Sequence, residues 1–347
     1  YGQKMSKRLG NAIDPFQTIS DFGPDATRWY MISNSNPWDN LKFDLNGVDE
    51  VKRKFFGTLY NTYSFFALYA NIDGFKYEEK EIEFKERPEL DRWILSELNS
   101  LITNVDEYYN DYEPTKAARA INSFVIDNLS NWYVRLSRRR FWKGDYEKDK
   151  ISAFQTLFDV LINIAKLSAP ISPFFMDRLF IDLSNNLNQR FSESIHLEDF
   201  PVSDKSKIDL KLEEKIKYAQ IISSLTLSLR AKEKIKVRQP LSKILIPIDN
   251  LNQKEIINSV SDEIKREVNV KKIQFLEGES DLLVKSIKPN FKKLGPTYGR
   301  YMKEITNLTN SLDNSSILSL EKTGKIDLLI DKKTITFNID DFEISSK

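Results

Sequence analysis

Cysteine is absent from the 347 residues, and histidine occurs once, at position 196. The first absence removes disulfides, thiolate zinc sites and a cysteine nucleophile, and it fits a reducing compartment. The second removes metal or catalytic sites built on several imidazoles. Excess charge of one sign is also missing: 52 lysines and arginines face 51 aspartates and glutamates. A protein that coats polyanions without specificity would be more basic, so any such contact must come from local clusters. No apolar run reads as a bilayer span and the first residues do not read as a signal peptide, so the expected compartment is the cytoplasm, with no membrane partner. Internal repeats and low-complexity tracts are lacking as well.

What is present is a folded-protein composition, 40% hydrophobic and 30% charged, on a chain long enough for two or three domains. After the opening "YGQKMSKRLGN", Asp14 and Pro15 form a helix start, with Gly23 as its stop. Residues 24–35 read as a second helix and "NPWDNLKFD" as a turn with a short extended piece. Val51, Phe55, Leu59, Tyr63 and Phe66 recur at helical spacing in one long helix from Gly47 to Asn71, and this stripe is read as core. The polar run 72–89 reads as a linker. Three long helical patterns follow, at 89–110, 114–142 and 147–168, and another helix begins after Pro173. Together they predict a helical bundle. Beyond residue 235 short β-branched runs appear ("SKILIPI", "KKIQFLE", "DLLVKSIKP", "KIDLLI", "TITFNIDDFEI"), with helical pieces near 253–268 and 297–312. The fold class is mainly α, in three parts: 1–46, a small loop-bearing subdomain; 47–234, the bundle; 235–347, a small α/β domain.

The candidate chemistry lies at the start. Lys4 and Lys7 flank Met5 and Ser6 on a glycine-bounded loop, where two ammonium groups can reach nucleotide phosphates. One such contact at ~4 Å and an effective dielectric of ~20 is worth about 4 kcal/mol before desolvation. On spacing alone, a solvated basic loop explains the same residues. Further on, Arg135, Arg138, Arg139 and Arg140 crowd one helix end beside Trp132, Tyr133 and Trp142, and Trp132, Arg135 and Arg139 share a face at i, i+3, i+7. Arginine forks bind phosphate and aromatics stack on unpaired bases. The alternative is a buried Trp132 and arginines paired with acids such as Asp127. Lys236 and Arg238, within "RAKEKIKVRQP", could track a backbone or form a solvated helix end. The mix of Lys288, Lys292, Lys293 and Arg300 with Phe291 and Tyr298 has the same two readings. His196 is assigned no chemistry. Asp340–Asp341 and Glu78–Glu79 are sequence neighbours and are read as surface rather than acid/base pairs. No metal site is expected.

"KMSKRLGN" resembles the KMSKS signature of class I aminoacyl-tRNA synthetases, with Arg8 in place of the final serine. "NPWDNLKFDLNGVDEVKRKFFGTLYNTYSFFALYANIDGF" is similar to isoleucyl-tRNA synthetases, and the similarity continues through "NWYVRLSRRRFW", "KIKVRQPL" and "GPTYGRYMKEI". The resemblance implies ATP-dependent charging of tRNA(Ile) through an isoleucyl-adenylate. ATP with Mg2+ would be used by the complete enzyme, Lys4 and Lys7 would act at the pyrophosphate, and Lys4, Met5, Ser6 and Lys7 would line the ATP site. It also implies a KMSKS-loop and stem-contact subdomain, an anticodon-binding bundle and a C-terminal α/β domain. Trp132, Arg135, Arg138, Arg139, Arg140, Lys236 and Arg238 would face tRNA. No histidine precedes position 196, so a HIGH signature is not among these residues. The expectation is a C-terminal fragment whose partners are tRNA(Ile) and the catalytic and editing domains of the same chain, inactive alone in adenylation. The neighbouring alternatives are a valyl or leucyl enzyme, or a non-catalytic helical RNA-binding module.

Overall fold

The computed structural model describes residues 5–185, 191–248, 250–277, 285–331 and 333–346. The chain divides into two compact units, Tyr1–Ile221 and Ile222–Lys347.

In the first unit, α1 (Pro15–Phe22) starts as its sequence predicts: Asp14 Oδ1 accepts the amide of Phe16 at 2.8 Å and that of Gln17 at 3.4 Å. Helix α2 (Pro24–Asn34) buries Trp29 against Phe55, rings stacked with centroids 4.1 Å apart. The passage from 36 to 44 contains no strand. It is held instead by Tyr30, whose hydroxyl donates to Lys42 O and accepts from the Asp44 amide, both at 3.1 Å. Tyr30 can lie there because its neighbour is Gly47: a Cβ at 47 would stand 2.4 Å from the ring.

The expected single helix from 47 to 71 is three consecutive pieces, α3 (Leu45–Val51), π-helical turns at Lys52–Phe56, and α4 (Gly57–Asp73). Phe55, Leu59 and Phe66 are buried; Val51 and Tyr63 are half-buried. The run expected to be a linker is stapled down. Phe75, Tyr77 and Ile82 are buried, and so is Arg87, which donates to Ile82 O at 3.0 Å and Thr156 Oγ1 at 2.8 Å. Tyr77 Oη donates to Asp159 Oδ1 at 2.9 Å. Burial lifts the Asp159 carboxyl to about 6, with Arg87 pulling the other way.

The bundle proper consists of α5 (Glu89–Asn110), α6 (Pro114–Ser123), a second π-helical stretch (Phe124–Val134), α7 (Arg135–Trp142), α8 (Lys148–Ser168), α9 (Pro173–Ser184) and α10 (Leu210–Lys232). Helix α8 is long and apolar enough to cross a membrane, which the sequence reading did not anticipate. Phe154, Leu157, Leu161 and Ile164 on it are fully buried, so it is the bundle's central helix. The start of α10 is tied to α5 by Glu213 Oε1, which accepts from Ser96 Oγ at 2.5 Å and Ser100 Oγ at 2.8 Å.

In the second unit, β1 (Leu241–Ile248) pairs in parallel with β2 (Val270–Glu277), Ile244 opposite Ile273. A parallel pair needs a crossover, and α11 (Leu251–Ser259) with α12 (Ser261–Val268) supplies it. Next come β3 (Lys285–Pro289), α13 (Phe291–Tyr298), α14 (Met302–Asn310), α15 (Asn314–Thr323), β4 (Lys325–Ile330), β5 (Lys333–Asn338) and β6 (Phe342–Ser346). Strand β3 pairs antiparallel with β6, and β4 with β5. Helix α15 was not expected. The closing run, read as one strand, is broken at Ile339–Asp341 by a tight turn whose ends cap each other through Asn338 and Asp341. Ile287, Leu294, Ile305, Leu320, Leu328 and Phe337 form the core of this part.

Candidate nucleic-acid interface and nucleotide loop

At the amino end Lys4 lies outside the described residues, as does the side chain of Lys7. From Lys7 the backbone forms a 3-10 turn, Lys7–Leu9, closed by the Leu9 amide on Ser6 O at 3.1 Å. The Ser6 amide donates to Asn11 Oδ1 at 2.7 Å, and Met5 is exposed. Gly10 follows at φ 64°, a conformation that glycine adopts without strain. A short, outward-facing turn is thus pinned from below by one asparagine side chain. No carboxylate occurs among residues 1–13.

The arginine ridge is sorted by the two helical geometries that meet at Val134. In an α-helix, Trp132 would share a face with Arg135 and Arg139. The π-helical turns of 124–134 add residues per turn and change that phase. Trp132 itself is buried, at 4% exposure, and offers no face to a base. Its ring is covered by Arg135, whose guanidinium carbon lies 5.9 Å from the ring centroid. Arg140 is also turned inward. Its Nη1 donates to Asp91 Oδ1 at 2.6 Å and its Nη2 to Asp91 Oδ2 at 2.8 Å; Nε reaches Asp149 at 3.0 Å. Asp91 is fully buried and accepts two further bonds, from Tyr133 Oη at 3.0 Å and Ser152 Oγ at 2.6 Å. Burial opposes the charge on Arg140, but the Asp91 bonds outweigh it and hold the guanidinium above its ordinary range. Burial, followed by the neighbouring Asp91 charge, pushes the Tyr133 phenol well up.

Arg140 and Trp132 are therefore interior groups, and the acids that hold Arg140 are Asp91 and Asp149. Asp127, the acid expected from sequence, accepts instead from Ser123 Oγ at 2.9 Å. Arg135, Arg138 and Arg139 are exposed. The guanidinium groups of Arg138 and Arg139 form no hydrogen bond or ion pair among the described residues. Trp142, which the sequence reading set beside the ridge without a role, is exposed at the end of α7.

Lys236 and Arg238 belong to the second unit and are exposed. Their backbone is fixed by a buried residue of the same run. Arg230 Nη1 donates to Lys236 O at 3.2 Å and Gln239 O at 3.0 Å, and Nη2 to Asn269 O at 3.0 Å. The Asn269 amide group donates to Val237 O at 2.9 Å. The basic pair thus projects from a turn held on its carbonyl side. Lys293 sits 3.3 Å from Asp341 and is paired. His196 is exposed at a short turn. Among the described residues no group of three or more potential metal ligands comes together.

Against this geometry, the family description "tRNA synthetases class I (I, L, M and V)" matches residues 1–44, and "Anticodon-binding domain of tRNA ligase" matches residues 91–245. The isoleucine--tRNA ligase of Porphyromonas gingivalis is 55% identical over 346 residues, covering 100% of this chain and 30% of that protein. The same enzyme from Bacteroides thetaiotaomicron is 54% identical with the same coverage, and that of Clostridium tetani 39% identical over 100% of this chain and 33% of its own. The chain belongs to the class I tRNA synthetases, in their isoleucyl branch. It spans about 30% of the length of the curated relatives it matches. Among solved structures, a ternary complex of Agrobacterium radiobacter K84 agnB2 LeuRS with tRNA and LeuAMS aligns at a TM-score of 0.44 and 14% identity, over 81% of this chain and 31% of that one. The synthetase match takes in the loop at Lys4–Lys7, and the anticodon-binding match takes in α5 to α10, including every arginine of the ridge.

Proposed function

We propose that this chain is the tRNA-binding part of an isoleucine–tRNA ligase, acting on tRNA(Ile) in the cytoplasm. The observation that carries the reading is that a match to anticodon-binding domains encloses a helix bearing two exposed guanidinium groups, Arg138 and Arg139, with no partner among the described residues. An arginine that folding does not use is free to neutralise a phosphate. Arg135, held over Trp132, lengthens that row, and Lys236 and Arg238 supply a second basic turn. The proposed division is 1–46 for the signature loop and stem contact, 47–234 for anticodon binding and 235–347 for the α/β domain. The strands begin at Leu241, which supports the last boundary.

For ATP, the loop fits a polyphosphate: Lys4, Ser6 and Lys7 supply donors and cations, with no carboxylate to repel the ligand. It offers no ligand for Mg2+, which would be held by the phosphates and by residues elsewhere in the enzyme. When bound, ATP supplies the leaving pyrophosphate, and the task of Lys4 and Lys7 is to neutralise charge there. Alone, the 347 residues do not adenylate isoleucine, since no histidine precedes position 196 to form a HIGH signature. The deciding measurement is a binding titration of the chain with tRNA(Ile) and with a non-cognate tRNA at two salt concentrations. Tighter binding of the isoleucine tRNA, by about tenfold or more, is expected. Equal affinities would reduce the bundle to a non-selective RNA binder, and no binding would overturn the reading.

A further inference from the structure

Five tryptophans are present, and three of them, Trp29, Trp93 and Trp132, are buried. The other two, Trp38 and Trp142, are 64% and 58% exposed. Their settings differ. Trp38 lines an apolar recess of about 450 Å³ with Pro37, Tyr109, Tyr112 and Pro114. The carboxylates of Asp39, Asp111 and Glu113 adjoin those residues in sequence. Trp142 ends α7 one turn beyond Arg138 and Arg139, at i+4 and i+3 from them, with Lys143 next and exposed.

The helix under Trp142 is held firmly. Phe141 is fully buried, with its ring centroid 5.1 Å from those of both Phe65 and Phe154. Arg140 is locked on Asp91, and the Lys143 amide closes on Arg139 O at 2.9 Å. Gly144, at φ 84°, then turns the chain away; Asp145 and Glu147 lie beyond it. A large flat ring is thus left in water beside two guanidinium groups without a partner among the described residues, on a backbone that needs no ordering. Folding gains nothing from exposing an indole, whereas a nucleobase gains from stacking on it, and the adjacent cations match the base's own phosphates.

We propose that Trp142 is the platform on which an unpaired nucleobase stacks, with Arg138 and Arg139 holding the flanking phosphates, so that α7 selects looped over fully paired RNA. This rests on the RNA-binding reading above and adds what it lacks, an aromatic contact in place of the buried Trp132. The test compares a hairpin RNA with a seven-nucleotide loop and a blunt duplex with the same number of phosphates, each titrated against the chain. Trp142→Ala should weaken hairpin binding about 5- to 150-fold, the range of one base–aromatic stack, and leave the duplex unchanged. The salt slope should stay as in the parent, because no charge is removed. Trp142→Phe should retain most of the affinity. Hairpin binding should quench indole emission in Trp38→Phe but not in Trp142→Phe. If Trp142→Ala binds the hairpin as the parent does, or loses hairpin and duplex equally, this inference fails while RNA binding stands. If the parent binds neither RNA, both readings fail together.

Discussion

Asp91→Ala should be among the most damaging substitutions in the first unit. The carboxylate is fully buried and accepts four hydrogen bonds of 2.6–3.0 Å from Tyr133, Arg140 and Ser152. Removing it leaves a guanidinium that is only 17% exposed with Asp149 as its one acidic partner, and strands two hydroxyl groups. Breaking a buried ion pair from one side costs about 3–5 kcal/mol. For a unit of this size, each kcal/mol moves the melting temperature by about 2–4 °C, so a fall of roughly 6–20 °C is expected by circular dichroism. Asp91→Leu combined with Arg140→Met removes both charges and, although the Tyr133 and Ser152 hydroxyls still lose their acceptor, should cost less than Asp91→Ala, since a well-packed apolar pair can replace a buried salt bridge. The double variant also isolates the role of Arg140, because it stays folded while losing that cation. Its RNA affinity should fall with salt just as steeply as the parent's. A shallower slope, together with a loss below about 1 kcal/mol for Asp91→Ala, would return Arg140 to the RNA surface and refute the assignment.

Glu97 gives a pH signature: burial, reinforced by Glu213, raises its carboxyl from the ordinary 4.5 to about 7 in the folded chain. The folded state then holds a proton that the unfolded state has released, so this group's contribution falls as pH rises from about 4.5 to about 7, by up to about 3 kcal/mol. Urea unfolding of Glu97→Gln across that window should show a flatter profile than the parent; an unchanged fall would clear Glu97. Arg230→Met should leave the Gln239 carbonyl without its donor, take one of two donors from the carbonyls of Lys236 and Asn269, and cost about 1–3 kcal/mol in thermal unfolding, whereas Arg238→Met should cost under about 0.5. In a complete ligase carrying this loop, Lys7→Ala should lower isoleucine-dependent ATP–pyrophosphate exchange tenfold or more at unchanged isoleucine affinity. Equal losses in rate and affinity would remove Lys7 from the transition state.

Several helix ends were legible from their caps: Asp14 before Pro15, Gly23 after Phe22, Pro114 and Pro173 at first turns; α15 was missed although Asp313 and Gly324 bound it. The segment from 74 to 88 was not, because its polar composition concealed three apolar anchors and one buried arginine. The candidate site was legible as a cluster but not residue by residue. Arg138, Arg139 and Arg140 are identical in residue type, and what separates the third from the others is Asp91, 49 positions earlier, with Asp149 nine positions later. That acid is visible in "RPELDRW", between Leu90 and Trp93 in the first turn of a helix, where an acid is ordinary. Helical spacing brought Trp132 and Arg135 together, as the structure does, but spacing does not tell a ring open to solvent from one buried under its own arginine.

The wide π-helical winding of Phe124–Val134 makes the bundle sensitive to length as well as to composition. Each residue of an α-helix advances the azimuth by about 100°. A one-residue deletion between Phe124 and Val134 that restored ordinary pitch would rotate everything after it relative to the core. Phe141 would then swing out toward water, Arg140 would leave its acid, and the outward arginines would be driven into the hydrophobic interior. The slack coils thus act as a phase shifter, setting which of four nearly consecutive cations is spent on folding and which are left to meet a polyanion.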